Sequence, residues 1–341
     1  MERLDNKQIL GVIDATTDIG SLASLTLNRP VASLPFAGRY RLIDFMLSNM
    51  VNAGIDSVGI FSHSLNYSLK GHISSGKVWD LDRKNGGLFF YTQNEHESRN
   101  GQLTLVHNQE FFLRAPYPYV LVAPSNVVGN LPILDMLKNH KEKSAVVTQA
   151  ISEGEQLPIY LINREILVDL LNNLDVKKPK SIMEFIEDGI ENIKKNPYHV
   201  NSVLLRIDSL NSFYNNSMKL LDEDIWFKIF DRNAPVLTKV KDEPPTQHIP
   251  ESKVTNSIVA NGCIIKGLVN DSIISRGVKI GKNAVIRNSI IMPKVEIGDN
   301  CYLDGVIVDK DVIIRENSKL LGEQNDPFVV QKGVAIYKEW L

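Results

Sequence analysis

Several features are scarce or missing in this chain, and each absence removes a class of protein. Only two cysteines, Cys263 and Cys301, occur in 341 residues, too few for a disulfide framework or a zinc cluster. No apolar stretch approaches the roughly 20 residues that cross a bilayer. Residues 1–8 are mostly polar, with no basic region leading into an apolar core, so the chain reads as cytoplasmic, without a membrane partner. Neither sign of charge dominates: 38 Lys and Arg stand against 40 Asp and Glu, a net charge of −2. That balance gives no reason to expect nucleic acid. The seven histidines stop at His248. A Gly-rich phosphate loop is also missing. Its nearest imitation, Gly71-His72-Ile73-Ser74-Ser75-Gly76-Lys77, is followed by Val78, not by the Ser or Thr that holds Mg²⁺, and residues 66–69 make a poor lead-in strand. A solvated loop is the better reading of that stretch, as of residues 62–99 generally.

What is present has a clear order. Residues 9–13 form the short apolar run of a buried first strand. Leu42, Phe45, Met46, Asn49, Met50 and Ala53 fall at helical spacing, and Gly54 ends the pattern. Residues 57–61 read as the next strand. Strand, loop, helix, strand opens a doubly wound sheet, whose ligands sit at the carboxyl ends of its strands. The alternation continues, with helices expected over 106–113, 133–140, 165–171, 182–193 and 209–221. Strands are expected over 119–123, 145–151, 158–162 and 203–205. The composition, 43% hydrophobic and 23% charged, suits a globular α/β domain with a largely parallel sheet over residues 1–240.

Residues 241–252 are polar and proline-containing, a linker. From 253 to 341 the pattern changes. Ile280-Gly281-Lys282-Asn283, Ile297-Gly298-Asp299-Asn300 and Ile314-Arg315-Glu316-Asn317 recur every 17 residues, with apolar positions stepping by six inside each interval. Such hexads predict a three-sided parallel β-helix whose coils stack about 4.8 Å apart, followed by a C-terminal tail. Cys263 and Cys301 lie among its small and apolar positions and read as packed core thiols.

One stretch carries a family resemblance. Pro35-Phe36-Ala37-Gly38-Arg39-Tyr40-Arg41-Leu42-Ile43-Asp44-Phe45, then Leu47-Ser48-Asn49 and Asn52-Ala53-Gly54-Ile55, closely resembles bacterial glucose-1-phosphate adenylyltransferase (ADP-glucose pyrophosphorylase). Trp79-Asp80-Leu81-Asp82-Arg83-Lys84-Asn85-Gly86-Gly87 matches a second signature of that family. The resemblance implies an α/β nucleotidyltransferase-like, Rossmann-like domain followed by a left-handed parallel β-helix of hexapeptide repeats. It also implies a reaction, attack of glucose 1-phosphate on the α-phosphate of ATP, and a set of residues to perform it.

Those residues are replaced here. Thr16-Thr17-Asp18-Ile19-Gly20-Ser21 stands where the family has a Gly-Gly-x-Gly-x-Arg loop, so Ser21 takes the place of the arginine and the glycines that admit a phosphate are lost. Val31 falls at the family's lysine. Asn126 falls at one metal-binding aspartate and Arg206 at the other. An arginine reverses the sign there, at about 4 kcal/mol per unit-charge pair ~4 Å apart with an effective dielectric of 20. Asp208 is the one nearby residue that could rescue a metal site. The family's long sugar-contacting segment is cut to Ser152-Glu153-Gly154-Glu155-Gln156-Leu157.

With both signatures kept and the site residues lost, the resemblance implies a non-catalytic, regulatory-type partner of a catalytic glucose-1-phosphate adenylyltransferase subunit in glycogen biosynthesis. The implied assembly is a heterotetramer, with Mg²⁺ confined to the catalytic partner and no cofactor of this chain's own. An active nucleotidyltransferase with an atypical site is the alternative. A β-helix acyltransferase is weaker, because such enzymes use a histidine on the coils. Arg39, Arg41 and Arg83 are candidates for binding a phosphorylated effector, a guanidinium pair being suited to bidentate phosphate. Arg39 and Arg41 read equally well as structural arginines, and Arg83 reads first as a structural residue of its loop.

Overall fold

A computed structural model describes residues 8–17, 19–62, 67–92, 108–172, 181–323 and 325–337. The N-terminal unit is built on a seven-stranded sheet. Its strands are β1 (Ile9–Ala15), β4 (Ser57–Ser62), β5 (Gly87–Thr92), β6 (Tyr119–Pro124), β8 (Val147–Ser152), β9 (Glu155–Asn163) and β10 (Lys195–His199), in the order β10-β8-β9-β6-β1-β4-β5. Two short pairs lie outside it: β2 (Pro35–Phe36) with β3 (Tyr40–Arg41), and β7 (Val127–Gly129) with β11 (Leu204–Arg206).

The helices are α1 (Ala23–Thr26), α2 (Leu42–Asn52), α3 (Tyr67–Ile73), α4 (Glu110–Leu113), α5 (Ile133–Glu142), α6 (Arg164–Asn172), α7 (Ile182–Gly189), α8 (Leu210–Met218) and α9 (Glu223–Ile229). Alternation along β1 explains why both sheet faces are covered. Ile9 and Ile13 pack with Met46 and Met50 of α2 on one face, while Leu10 and Val12 pack with Phe112 and Ile186 on the other.

The sheet is largely parallel, as the sequence suggested, with one strand reversed. β9 runs antiparallel to both β6 and β8, because the link from β8 to β9 is too short for a crossover and can only make a hairpin. Within the stretch expected to be a solvated loop, residues 67–92 form helix α3, a 3-10 turn and strand β5, while residues 63–66 and 93–99 lie outside the described residues. Gly71, His72 and Ile73 end helix α3, so the phosphate-loop imitation terminates a helix instead of starting one. His72 is buried and bonds Asp44 at 2.6 Å; Trp79 donates to Ser48 Oγ at 3.3 Å. Those partners lie in α2, far away in sequence, and this is why local pattern missed the helix. The helix expected over 106–113 is described only as α4. Residues 106–107, Asp18 and the tail 338–341 lie outside the described residues.

The C-terminal unit is a three-sided parallel β-helix made of one six-stranded and two five-stranded parallel sheets. Its first strand, Gln247–His248, lies within the stretch read as linker. The 17-residue step holds across the middle coils, with Ile280 opposite Ile297 and Ile297 opposite Ile314. One early coil is shorter, Ile258 facing Ile273, and a late one is longer, Val306 facing Phe328. Both cysteines are buried in the apolar interior.

A shared core joins the two units. Phe36, Phe45 and Phe213 pack with Ile290, Met292 and Ile307 of the coils. Beside this core, Arg29 meets both carboxylate oxygens of Asp309 at 2.8 Å in a solvent-excluded ion pair.

Candidate functional site

The carboxyl ends of β1 and β6 are where a doubly wound sheet holds its ligand. Here the chain's own polar groups bond one another at that place. The Asp14 carboxylate, wholly excluded from solvent, accepts the Thr16 amide at 2.7 Å, the Thr16 hydroxyl at 2.6 Å and the Thr17 hydroxyl at 2.9 Å. Ser21 lies in a 3-10 turn and donates to the Asp208 carbonyl at 3.0 Å. Asn126 is buried and donates its side-chain amide to the Ile207 carbonyl at 2.6 Å. Arg206 lies at the end of β11, 3.4 Å from Glu155 and 3.7 Å from Asp208.

Four of the positions singled out from sequence, Ser21, Asn126, Arg206 and Asp208, are therefore gathered at one end of the β7–β11 pair. Val31 is not among them; it is buried in the core shared with the β-helix. A divalent cation does not fit this set. Asn126 is engaged as a donor, and a guanidinium already stands between the two carboxylates a metal would need. The shortened segment is a tight hairpin whose two central residues, Glu153 and Gly154, both have positive φ, as a type I′ turn requires. Its tip supplies Glu155 to Arg206.

A second place lies where β2–β3 meets the coils. A cavity of about 160 Å³ is lined by eight basic side chains and one carboxylate, Asp311. Arg39 and Arg41 both reach it. Arg41 donates to the carbonyl and hydroxyl of Ser68 at 2.7 and 3.0 Å, and burial lowers its pKa to about 10. Arg39 is exposed and lies over the Tyr40 ring at 5.4 Å.

From the linker and the coils come Lys241, Arg276 and Lys310, each with its pKa lowered, first by burial. For Lys241 the next cause is the Arg276 charge, and for Lys310 it is Lys332. Three buried donors of the lining, Ser33 Oγ and Arg29 Nε and Nη1, have no hydrogen-bond partner among the described residues. Crowded cations lining one cavity are what an oxyanion would satisfy.

Arg83 is not part of this lining. It is tied into its own loop, donating to the Asp80 carbonyl at 2.6 Å and pairing with the Asp80 carboxylate. Sequence reasoning did not single out Asp14, Arg29, Lys241, Arg276 or Lys310. The repeat register held a signal for the coil residues: Arg276, Pro293 and Lys310 follow the 17-residue step and stack on one corner. For Asp14 the only trace was an aspartate ending an apolar run before two threonines.

The fold and these two sites define a class: a nucleotidyltransferase-type α/β domain carrying a hexapeptide β-helix. Residues 21–160 match the family model described as nucleotidyl transferase, and residues 244–327 the one described as GlmU-like, C-terminal hexapeptide. The chain is 40% identical over 286 residues to the glycogen biosynthesis protein GlgD of Bacillus subtilis, covering 83% of each chain. It is 44% identical over 333 residues to GlgD of Geobacillus stearothermophilus, covering 96% of this chain and 97% of that one. The glucose-1-phosphate adenylyltransferase of G. stearothermophilus is 30% identical over 324 residues, covering 82% and 84%. The chain belongs to the GlgD family, which is related to the glucose-1-phosphate adenylyltransferases.

Proposed function

We propose that this chain is a non-catalytic, regulatory partner subunit of a glucose-1-phosphate adenylyltransferase in glycogen biosynthesis, active as part of a cytoplasmic hetero-oligomer, a heterotetramer with the catalytic subunit. The observation that carries this reading is a contrast between the two sites. At the nucleotide end Asp14, Asn126 and Arg206 are engaged by the chain's own groups, whereas the junction pocket keeps a dense set of cations. A chain that binds a phosphorylated effector at the junction needs the second site and not the first. Mg²⁺ then belongs to the catalytic partner. Arg39 and Arg41 contact the effector in this reading, supported by Lys241 and Arg276, and Arg83 holds its loop.

The test uses the full chain alone and mixed with a catalytic adenylyltransferase homologue. Alone, with ATP, glucose 1-phosphate and Mg²⁺, it releases no pyrophosphate, against about 10 turnovers per second for a typical enzyme. Mixed, it forms a hetero-oligomer by light scattering and alters the partner's rate or its response to a phosphorylated sugar. Arg41→Ala and Arg276→Ala abolish that change in response while leaving the oligomer intact. Turnover by the chain alone, or a mixture that neither associates nor changes kinetics, overturns the proposal.

A further inference from the structure

The loop after β1 presents donors of the kind that bind phosphate oxygens: a backbone amide, two hydroxyls and, from across the sheet, the amide of Met183 in the first turn of α7. All four converge on Asp14. Oδ1 takes the Thr16 amide and hydroxyl; Oδ2 takes the Thr17 hydroxyl and, at 3.3 Å, the Met183 amide. The first three bonds are those of a local turn. The fourth comes from 169 residues away and ties the loop to the positive end of a helix. No Lys or Arg among the described residues forms an ion pair with this carboxylate, although it has no solvent exposure. A buried charge without a counterion is costly unless its lone pairs are satisfied, and here these four donors satisfy them.

We propose that Asp14 is a resident anion. Its carboxylate takes the position an oxyanion ligand would take at this end of the sheet, and it holds the β1 loop against α7 in a closed arrangement without any ligand. The cation side is stitched in the same manner: Arg206 spans Glu155 and Asp208, and Ser21 ties the loop after β1 to the same segment. Both sides of this end are thus tied by the chain's own groups. This holds whether or not the chain serves as a partner subunit.

The experiment removes the carboxylate and offers another in its place. In the full-length Asp14→Ala chain, the Thr16 and Met183 amides exchange with deuterium faster than in wild type, by about tenfold or more as local opening becomes easier. Added formate or inorganic phosphate slows that exchange in a saturable way in the variant, while sodium chloride at equal ionic strength does not. The wild-type amides show no response to either anion. Local exchange is the deciding readout because the junction pocket is also expected to take phosphate, so a shift in melting temperature would not separate the two sites. Unchanged exchange in Asp14→Ala, or faster exchange that neither anion slows, overturns the proposal. So does a wild-type chain whose two amides are further protected by either anion. Should Asp14→Ala fail to fold, Asp14→Ser carries the same readouts.

Discussion

Burying a titratable side chain between neutral partners makes stability depend on pH, and His140 shows how. Its ring is solvent-excluded, with Nδ1 2.8 Å from the Thr148 hydroxyl and Nε2 2.9 Å from Asn163 Oδ1. The neutral ring fits both, accepting from Thr148 and donating to Asn163. Burial pushes its pKa below 6.5; the Asn163 bond opposes this and Lys141 adds to it. The unfolded chain therefore takes up a proton before the native one does, and stability present above pH 6.5 is lost as pH falls toward the depressed native value. Urea unfolding followed from pH ~7 to pH ~5 is expected to show falling stability, with a shallower fall in His140→Gln. Equal slopes in the two chains would assign the pH dependence elsewhere.

Elements depend on single backbone positions in the same way. The β7–β11 pair, which presents Asn126 and Arg206 side by side, turns on Gly129. Its φ is +132°, and a Cβ there would lie 2.1 Å from the Val203 carbonyl oxygen. Its own carbonyl accepts the Asn49 side-chain amide at 2.9 Å. Gly129→Ala combines a forbidden backbone region with a clash against main chain, so a loss of at least about 1–3 kcal/mol is expected. Denaturant unfolding measures the loss, and faster amide exchange at Leu204 and Arg206 locates it. A variant as stable as wild type would mean that the pair tolerates being forced apart.

At the scale of the whole molecule, the two units are not independent bodies on a linker. Phe36, Phe45 and Phe213 share a core with Ile290, Met292 and Ile307, all nearly or fully excluded from solvent. Burying the three coil residues is worth on the order of 5 kcal/mol at about 1.5–3 kcal/mol per side chain, comparable with the whole stability of an ordinary domain, about 5–15 kcal/mol. The intact chain is therefore expected to unfold in one cooperative transition, and a version ending at Lys241 to be unfolded or aggregated under the same conditions. Calorimetry decides this. Two separated transitions, or a truncated chain that melts cooperatively at the same temperature, would show that the shared core contributes little.

Much of this organisation was already legible in the residues, and the division has a physical cause. The opening of the sheet, helix α2 and the 17-residue coils follow from hydrophobic period, a short-range property that survives without knowledge of neighbours. Ser21, Asn126 and Arg206 stand out only through the family resemblance, since residue type alone assigns them no role. Folding alone decided the antiparallel course of β9 and the burial of α3 through His72 and Trp79. It also decided the capture of the loop after β1 by Asp14. The junction pocket draws Ser33, Arg41, Ser68, Lys241, Arg276 and Lys310 from distant parts of the chain. Only Arg276 and Lys310 are linked by the coil period; no spacing rule brings the other four to them, because a cavity between two packed units is set by how the units meet.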